Sequence, residues 1–150
     1  TRNMGSIDDV QRFLGQETGL ATVSTIQKDG GILSSVVNCG VLPHPITQEL
    51  CVAFVSAGGA ARLKHIERGS QVTVAIRREW KWVSVSGKAD LFGPEYLPEN
   101  FDPEQLRILL RDVFISAGGV HDDFEEYDKV MASEKRVVVC VSIERIRGNT

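Results

Sequence analysis

Residues 50–55 constrain the fold of this chain most. Leu50, Cys51, Val52, Ala53, Phe54 and Val55 are apolar without interruption, so neither face of a strand built from them can meet water. The run predicts a central strand. Ser56, Ala57, Gly58, Gly59, Ala60, Ala61, Arg62, Leu63, Lys64, His65 and Ile66 follow directly and read as a tight Gly-Gly turn opening a short helix. Backbone N–H groups at such a start attract anions. Arg62 and Lys64 then place cations in or near the first turn. There they oppose the helix dipole by a few tenths to ~1 kcal/mol each unless an anion lies between them. The stretch is either an anion site or a solvated basic helix.

Charge sharpens that choice. The 150 residues carry 17 Lys and Arg against 20 Asp and Glu, a formal net charge of −3, which argues against nucleic-acid binding. The distribution is uneven. Arg62, Lys64, Arg68, Arg77, Arg78 and Lys81 cluster against only Glu67 and Glu79, whereas 90–134 is mostly acidic. A local basic zone on an acidic chain suits a small anionic ligand. No apolar run approaches the ~20 residues of a membrane span and no signal peptide is visible, so the expectation is a soluble cytoplasmic protein with no membrane partner. Cys39, Cys51 and Cys140 are far apart and lack metal or redox spacing. They are expected to be buried free thiols, with no metal site.

Along the chain, Ser6 can cap a helix with Ile7, Val10, Phe13 and Leu14 on one side, bracketed by Gly15 and Gly19. Residues 20–27 alternate as a strand and meet Asp29, Gly30 and Gly31, a hairpin signal. The return strand carries Ser34, Ser35 and Asn38 among Val36, Val37 and Val41, until Pro43 and Pro45 stop it. Strands follow at 71–76 and 80–87. In the latter, period two puts Trp80, Trp82, Ser84 and Ser86 on one face and Val83 and Val85 on the other. The Trp face is covered by a ligand, by a second subunit or by cross-strand aromatic packing. Asp102 and Pro103 start a helix with Leu106, Leu109, Leu110 and Val113 inward. A short acidic helix runs through Tyr127 and Met131, and a last strand spans 136–146. Residues Ser116 to Gly119 repeat Ser-Ala-Gly-Gly of 56–59 at a helix end, where Gly is an ordinary terminator. Nothing marks an internal boundary, so 1–150 reads as one domain. About six mostly antiparallel strands with short helices imply a small closed or partly closed barrel.

Several of these pieces carry a family resemblance. They are Leu20, Ala21, Thr22 and Val23 with Asp29 and Gly30; Gly58 and Gly59 followed by Arg62 and Lys64; residues 82–89 from Trp82 to Ala89; and the ending with Arg136, Val137, Val138, Val139, Ile143, Glu144, Arg145 and Ile146. Over residues 5–149 the chain resembles the pyridoxamine-phosphate-oxidase-like split β-barrel superfamily. Within it, the chain is similar to the actinobacterial branch that uses the deazaflavin coenzyme F420, which includes F420-dependent biliverdin reductases. The resemblance implies a mainly β, homodimeric split barrel with cofactor clefts at the dimer interface. It implies that basic residues after the central strand hold the cofactor's phosphate-bearing tail. Arg62 stands where relatives usually have Lys, Lys64 where they have a later Arg, and Ala60 where some have a further Arg.

The implied cofactor site comprises Ser35, Val36, Val37 and Asn38 beside the ring system, Ser56, Gly58, Gly59, Arg62 and Lys64 at the tail, and Trp80 and Trp82. Ser35 and Asn38 read equally as ordinary strand polar residues. The implied activity is hydride transfer from reduced F420 to a small organic acceptor: a tetrapyrrole, a quinone or an unsaturated carbonyl compound. FMN is the alternative cofactor. A non-catalytic flavin-, deazaflavin- or haem-binding module is the alternative function.

Overall fold

The computed structural model describes residues 6–14 and 19–149. Its elements are α1 (Ile7–Leu14), β1 (Leu20–Ile26), β2 (Ile32–Pro43), β3 (Leu50–Ser56), α2 (Ala61–Glu67), β4 (Val72–Arg78), β5 (Lys81–Gly87), β6 (Ala89–Phe92), α3 (Pro103–Ser116), α4 (Phe124–Ser133), β7 (Val137–Ser142) and β8 (Arg145–Gly148). The strands pair antiparallel in one curled sheet ordered β6-β7-β3-β2-β1-β4-β5-β8. This is a mainly β split barrel.

Eight strands stand where about six were expected, and the difference has a local cause. Residues 81–92 form one path that pairs with β8 through β5 and with β7 through β6. Residues 137–148 form the facing path. Both paths kink at the same level, where Ser142 N donates to the Lys88 carbonyl at 2.9 Å and Glu144 N to the Ser86 carbonyl at 3.1 Å. A Cβ on Gly87 would collide there with the Ser142 carbonyl oxygen, so only glycine lets the two backbones approach this closely. The 136–146 strand is therefore two strands, and 88–92 adds another. Joined through these paths, the two ends of the sheet enclose a core that includes Val23, Val52, Phe54, Leu63, Val74, Val85 and Val139.

The 50–55 run behaves as its composition dictates from Cys51 onward. Val52 and Phe54 face the barrel, while Cys51 and Ala53 face a second core built with Leu106, Leu109, Leu110, Val113 and Tyr127 from α3 and α4. Leu50, at the strand's first position, is 41% exposed. The three cysteines are free and buried. Local signals act as read: Ser6 Oγ accepts from Asp9 N, Asp29 Oδ1 accepts from Gly31 N in the β1–β2 turn, and Asp102 and Gln105 form a reciprocal capping box on α3. Gly15 and the side chain of Leu14 lie outside the described residues.

One boundary differs in a way that matters for the site. Trp80 lies in the β4–β5 turn, not in the strand, because Glu79 adopts a left-handed φ of 58° and reverses the chain one residue before β5. Trp80 is consequently 91% exposed.

Candidate functional site

Arg62 is the centre of the site. It leaves α2 toward the sheet, donating from Nη1 to Ser56 Oγ at 2.8 Å and from Nη2 to Ser35 Oγ at 2.7 Å. Its guanidinium carbon lies 5.7 Å from the centroid of the Phe54 ring. The side chain thus ties α2 to β2 and β3 through hydroxyls and an aromatic face, and meets no carboxylate among the described residues. Its Nε is buried without a hydrogen-bond partner. Burial destabilises the uncompensated charge and pulls the guanidinium's pKa down, with Cys39 nearby opposing. Burial also raises the Cys39 thiol to about 12 despite Arg62's pull in the other direction, so Cys39 does not supply a thiolate counter-charge. A phosphate or carboxylate in an adjoining space would neutralise such a charge through charge-assisted bonds.

Arg62 opens on a cavity of about 400 Å³, whose sheet side is formed by Val36, Val37, Asn38, Val55 and Ala57. The opposite wall comes from α3 and α4, as Val113, Phe114, Ala117, Tyr127 and Met131, with Arg136 just before β7. Phe114 and Tyr127 pack with ring centroids 4.8 Å apart. Tyr127 donates its hydroxyl to the Leu110 carbonyl at 3.1 Å, and burial pushes its pKa to about 12. Its ring forms part of the cavity wall. Arg136 uses Nε on Glu134 at 2.8 Å.

The residues singled out from sequence separate in space. Ser35, Ser56 and Arg62 form one hydrogen-bonded unit, and Val36, Val37 and Asn38 line the cavity beside it. Lys64 is exposed and faces away from Arg62, as two residues i and i+2 on a helix must. Gly58 and Gly59 line a different, smaller cavity of about 250 Å³ with Tyr96 and Lys135. A Cβ on Gly58 would strike the Lys135 carbonyl oxygen, so this glycine serves the close packing of the turn on the α4–β7 connection. No side chain caps α2 at Ala60. Trp80 and Trp82 do not line the Arg62 cavity. Asn149 pins their backbones, donating to the Trp80 carbonyl and accepting from Trp82 N, each at 2.8 Å.

The helical wall was missed by sequence reasoning. Phe114 and Tyr127 are spaced as ordinary core aromatics, and only the fold brings them to the same cavity as Val36, Val37 and Asn38 of β2. The signals that could have raised them were an Arg immediately before the apolar 137–141 run and a Tyr in an otherwise acidic helix.

No protein-family model matches the sequence. Among solved structures, a conserved hypothetical protein from Mycobacterium tuberculosis aligns with a TM-score of 0.68 at 18% identity, over 96% of this chain and 84% of that one. A pyridoxamine 5'-phosphate oxidase-related, FMN binding protein from Nostoc punctiforme aligns at 0.63 and 10% identity, over 93% and 79%. A heme binding protein from Mycobacterium smegmatis aligns at 0.62 and 15%, covering 98% of this chain but 55% of that one. At these identities the likeness is one of architecture, and it establishes that the chain has the fold of the pyridoxamine-phosphate-oxidase-like, FMN-binding split β-barrels.

Proposed function

We propose that this protein is an F420-dependent reductase, passing a hydride from the reduced deazaflavin to a small organic acceptor. The observation that carries the reading is the half-buried Arg62 guanidinium, held by two hydroxyls with no carboxylate partner among the described residues and lining the 400 Å³ cavity. The resemblance over residues 5–149 supplies the cofactor class.

When bound, the reduced deazaflavin supplies the hydride. The acceptor gains that hydride and a proton, so the protein needs no nucleophile at this step. Its residues bind, orient and exclude water. Arg62 holds the phosphate-bearing tail, prepositioned by Ser35 and Ser56. The backbone of 36–38 provides the surface for the ring. Phe114, Tyr127 and Met131 keep the opposite side dry. Tyr127 keeps its proton on the Leu110 carbonyl, and the proton added to the product comes from solvent or from another side chain.

Fluorescence-quenching titration tests the assignment. F420 should bind more tightly than FMN, and tighter FMN binding would overturn the deazaflavin reading. FMN is the second reading, favoured by the description of the Nostoc punctiforme neighbour as FMN binding.

The same proposal includes a homodimer. The outward face of β1, β2 and β5 exposes Leu20 (45%), Ile26 (46%), Ile32 (61%), Val36 (65%) and Trp82 (40%). These positions share one face by register: Leu20 opposes Asn38, Thr22 opposes Val36 and Ile26 opposes Ile32. Exposed apolar surface on this scale favours burial against a second copy. Light scattering should report about twice the 16.5 kDa chain mass, and a monomer that still binds cofactor would refute a shared cleft.

A further inference from the structure

A second cavity, of about 650 Å³, adjoins the Arg62 cavity along α4. Pro94, Leu97, Leu106 and Leu110 make much of its surface, and Met131 and Arg136 line both cavities. Two spaces therefore share one wall made of a thioether chain and a guanidinium stem. Met is unbranched and changes rotamer at little cost, and an Arg stem offers apolar methylenes while its head stays in water. The charged rim of the second cavity is largely neutralised within itself: Arg107 bonds Glu104 and Asp128, and Arg136 bonds Glu134. It therefore offers its apolar floor more than a charge to a ligand.

Size adds a further constraint. Small-molecule sites run from about 300 to 1,000 Å³, and the Arg62 cavity stands near the lower bound at about 400 Å³. The adjoining apolar cavity, which has Met131 and Arg136 in common with it, offers further room directly beside it.

We infer that the acceptor is amphipathic: its reducible head meets the cofactor in the Arg62 cavity, and a hydrocarbon tail passes Met131 into the groove of Leu97, Leu106 and Leu110. This rests on the reductase reading above, but the tail site can be tested without it. The probes are 2-methyl-1,4-naphthoquinone and its 3-decyl derivative, which share a head and differ by the tail. Ligand-observed NMR on the cofactor-free protein should show binding of the decyl compound roughly tenfold or more tighter than the tail-less one, as several buried methylenes require. Leu97, 38% exposed, can be changed without opening the core. Leu97→Glu should erase the difference, and Leu97→Ala should reduce it. With reduced F420 as donor, KM for the decyl compound should rise in Leu97→Glu, while KM for the tail-less compound and F420 affinity stay unchanged. Equal binding of the two probes, or a tail advantage that survives Leu97→Glu, overturns the inference. If F420 does not bind but the decyl preference is present and lost in Leu97→Glu, the reductase reading fails and the tail site stands.

Discussion

Two sets of arginines project from helices of this molecule, and their surroundings differ in kind. Arg107 and Arg111 on α3 converge on the Asp128 carboxylate of α4, with Glu104 completing the group. The paired guanidiniums hold Asp128 and Glu104 below the usual carboxylate range. Arg62 on α2 reaches inward instead, to two hydroxyls and a ring face, and keeps an unsatisfied nitrogen. The first set spends its charge on joining helices. The second retains its charge, at an electrostatic cost that the proposed cofactor's anionic tail would remove. What surrounds each cation is the ground on which Arg62, and neither Arg107 nor Arg111, is proposed to bind the cofactor.

Substitution at Arg62 should give the largest contrast. Charge-assisted contacts of this kind are worth roughly 1.5–3 kcal/mol each. Arg62→Ala should therefore weaken cofactor binding about ten- to a hundredfold at low salt, measured by fluorescence quenching. Raising the salt concentration should weaken binding by the native protein and flatten the response of the variant.

Asp128→Asn should do the opposite: lower the melting temperature by about a few degrees at neutral pH and leave cofactor affinity alone. The sign of its pH dependence is fixed. Because the folded-state pKa of Asp128 is depressed, its stabilisation is fully present above the unfolded value of about 4 and is lost as pH falls through the folded value. The difference in melting temperature between native protein and variant should close in that acid window. A constant difference down to low pH would mean that the carboxylate's charge is not what joins the helices.

The smallest effect is expected at Lys64. Exposed on the other side of α2, it contributes only a screened field. Lys64→Ala should change cofactor affinity by less than about threefold at low salt and not at all at physiological salt. A loss matching that of Arg62→Ala would place the anion over the helix and not in the cavity.

Local chemistry accounts for what could be read from sequence. Asp29 with Gly31, Asp102 with Gln105, and the stop at Pro43 each act within a few residues. The apolar run at 50–55 announced its double burial because both faces had to be covered. Arg62 stood out in the sequence, but its partner Ser35 lies 27 residues away, and the placement of Arg62 and not Lys64 against the sheet depends on which side of α2 meets it. The Phe114, Tyr127 and Met131 wall depends on how α3 and α4 sit over β2 and β3, which no local pattern encodes. Gly58 shows the same limit from the other direction: it looked like an anion cradle, and the close approach of the Lys135 backbone gives it a packing role.

The facing paths 81–92 and 137–148 also govern how the molecule is made. β3, β5 and β6 all find a neighbour in residues 137–148. Until that segment has left the ribosome, three rows of backbone N–H and C=O groups stay unpaired and Val-rich surface stays open. Such an intermediate is a template for association with other chains, and closing contacts this distant in sequence is slow. Synthesis of this fold therefore passes through a prolonged sticky stage that ends only when the closing segment zips into place, and production yield should depend on chaperone supply more steeply than the stability of the finished barrel would suggest.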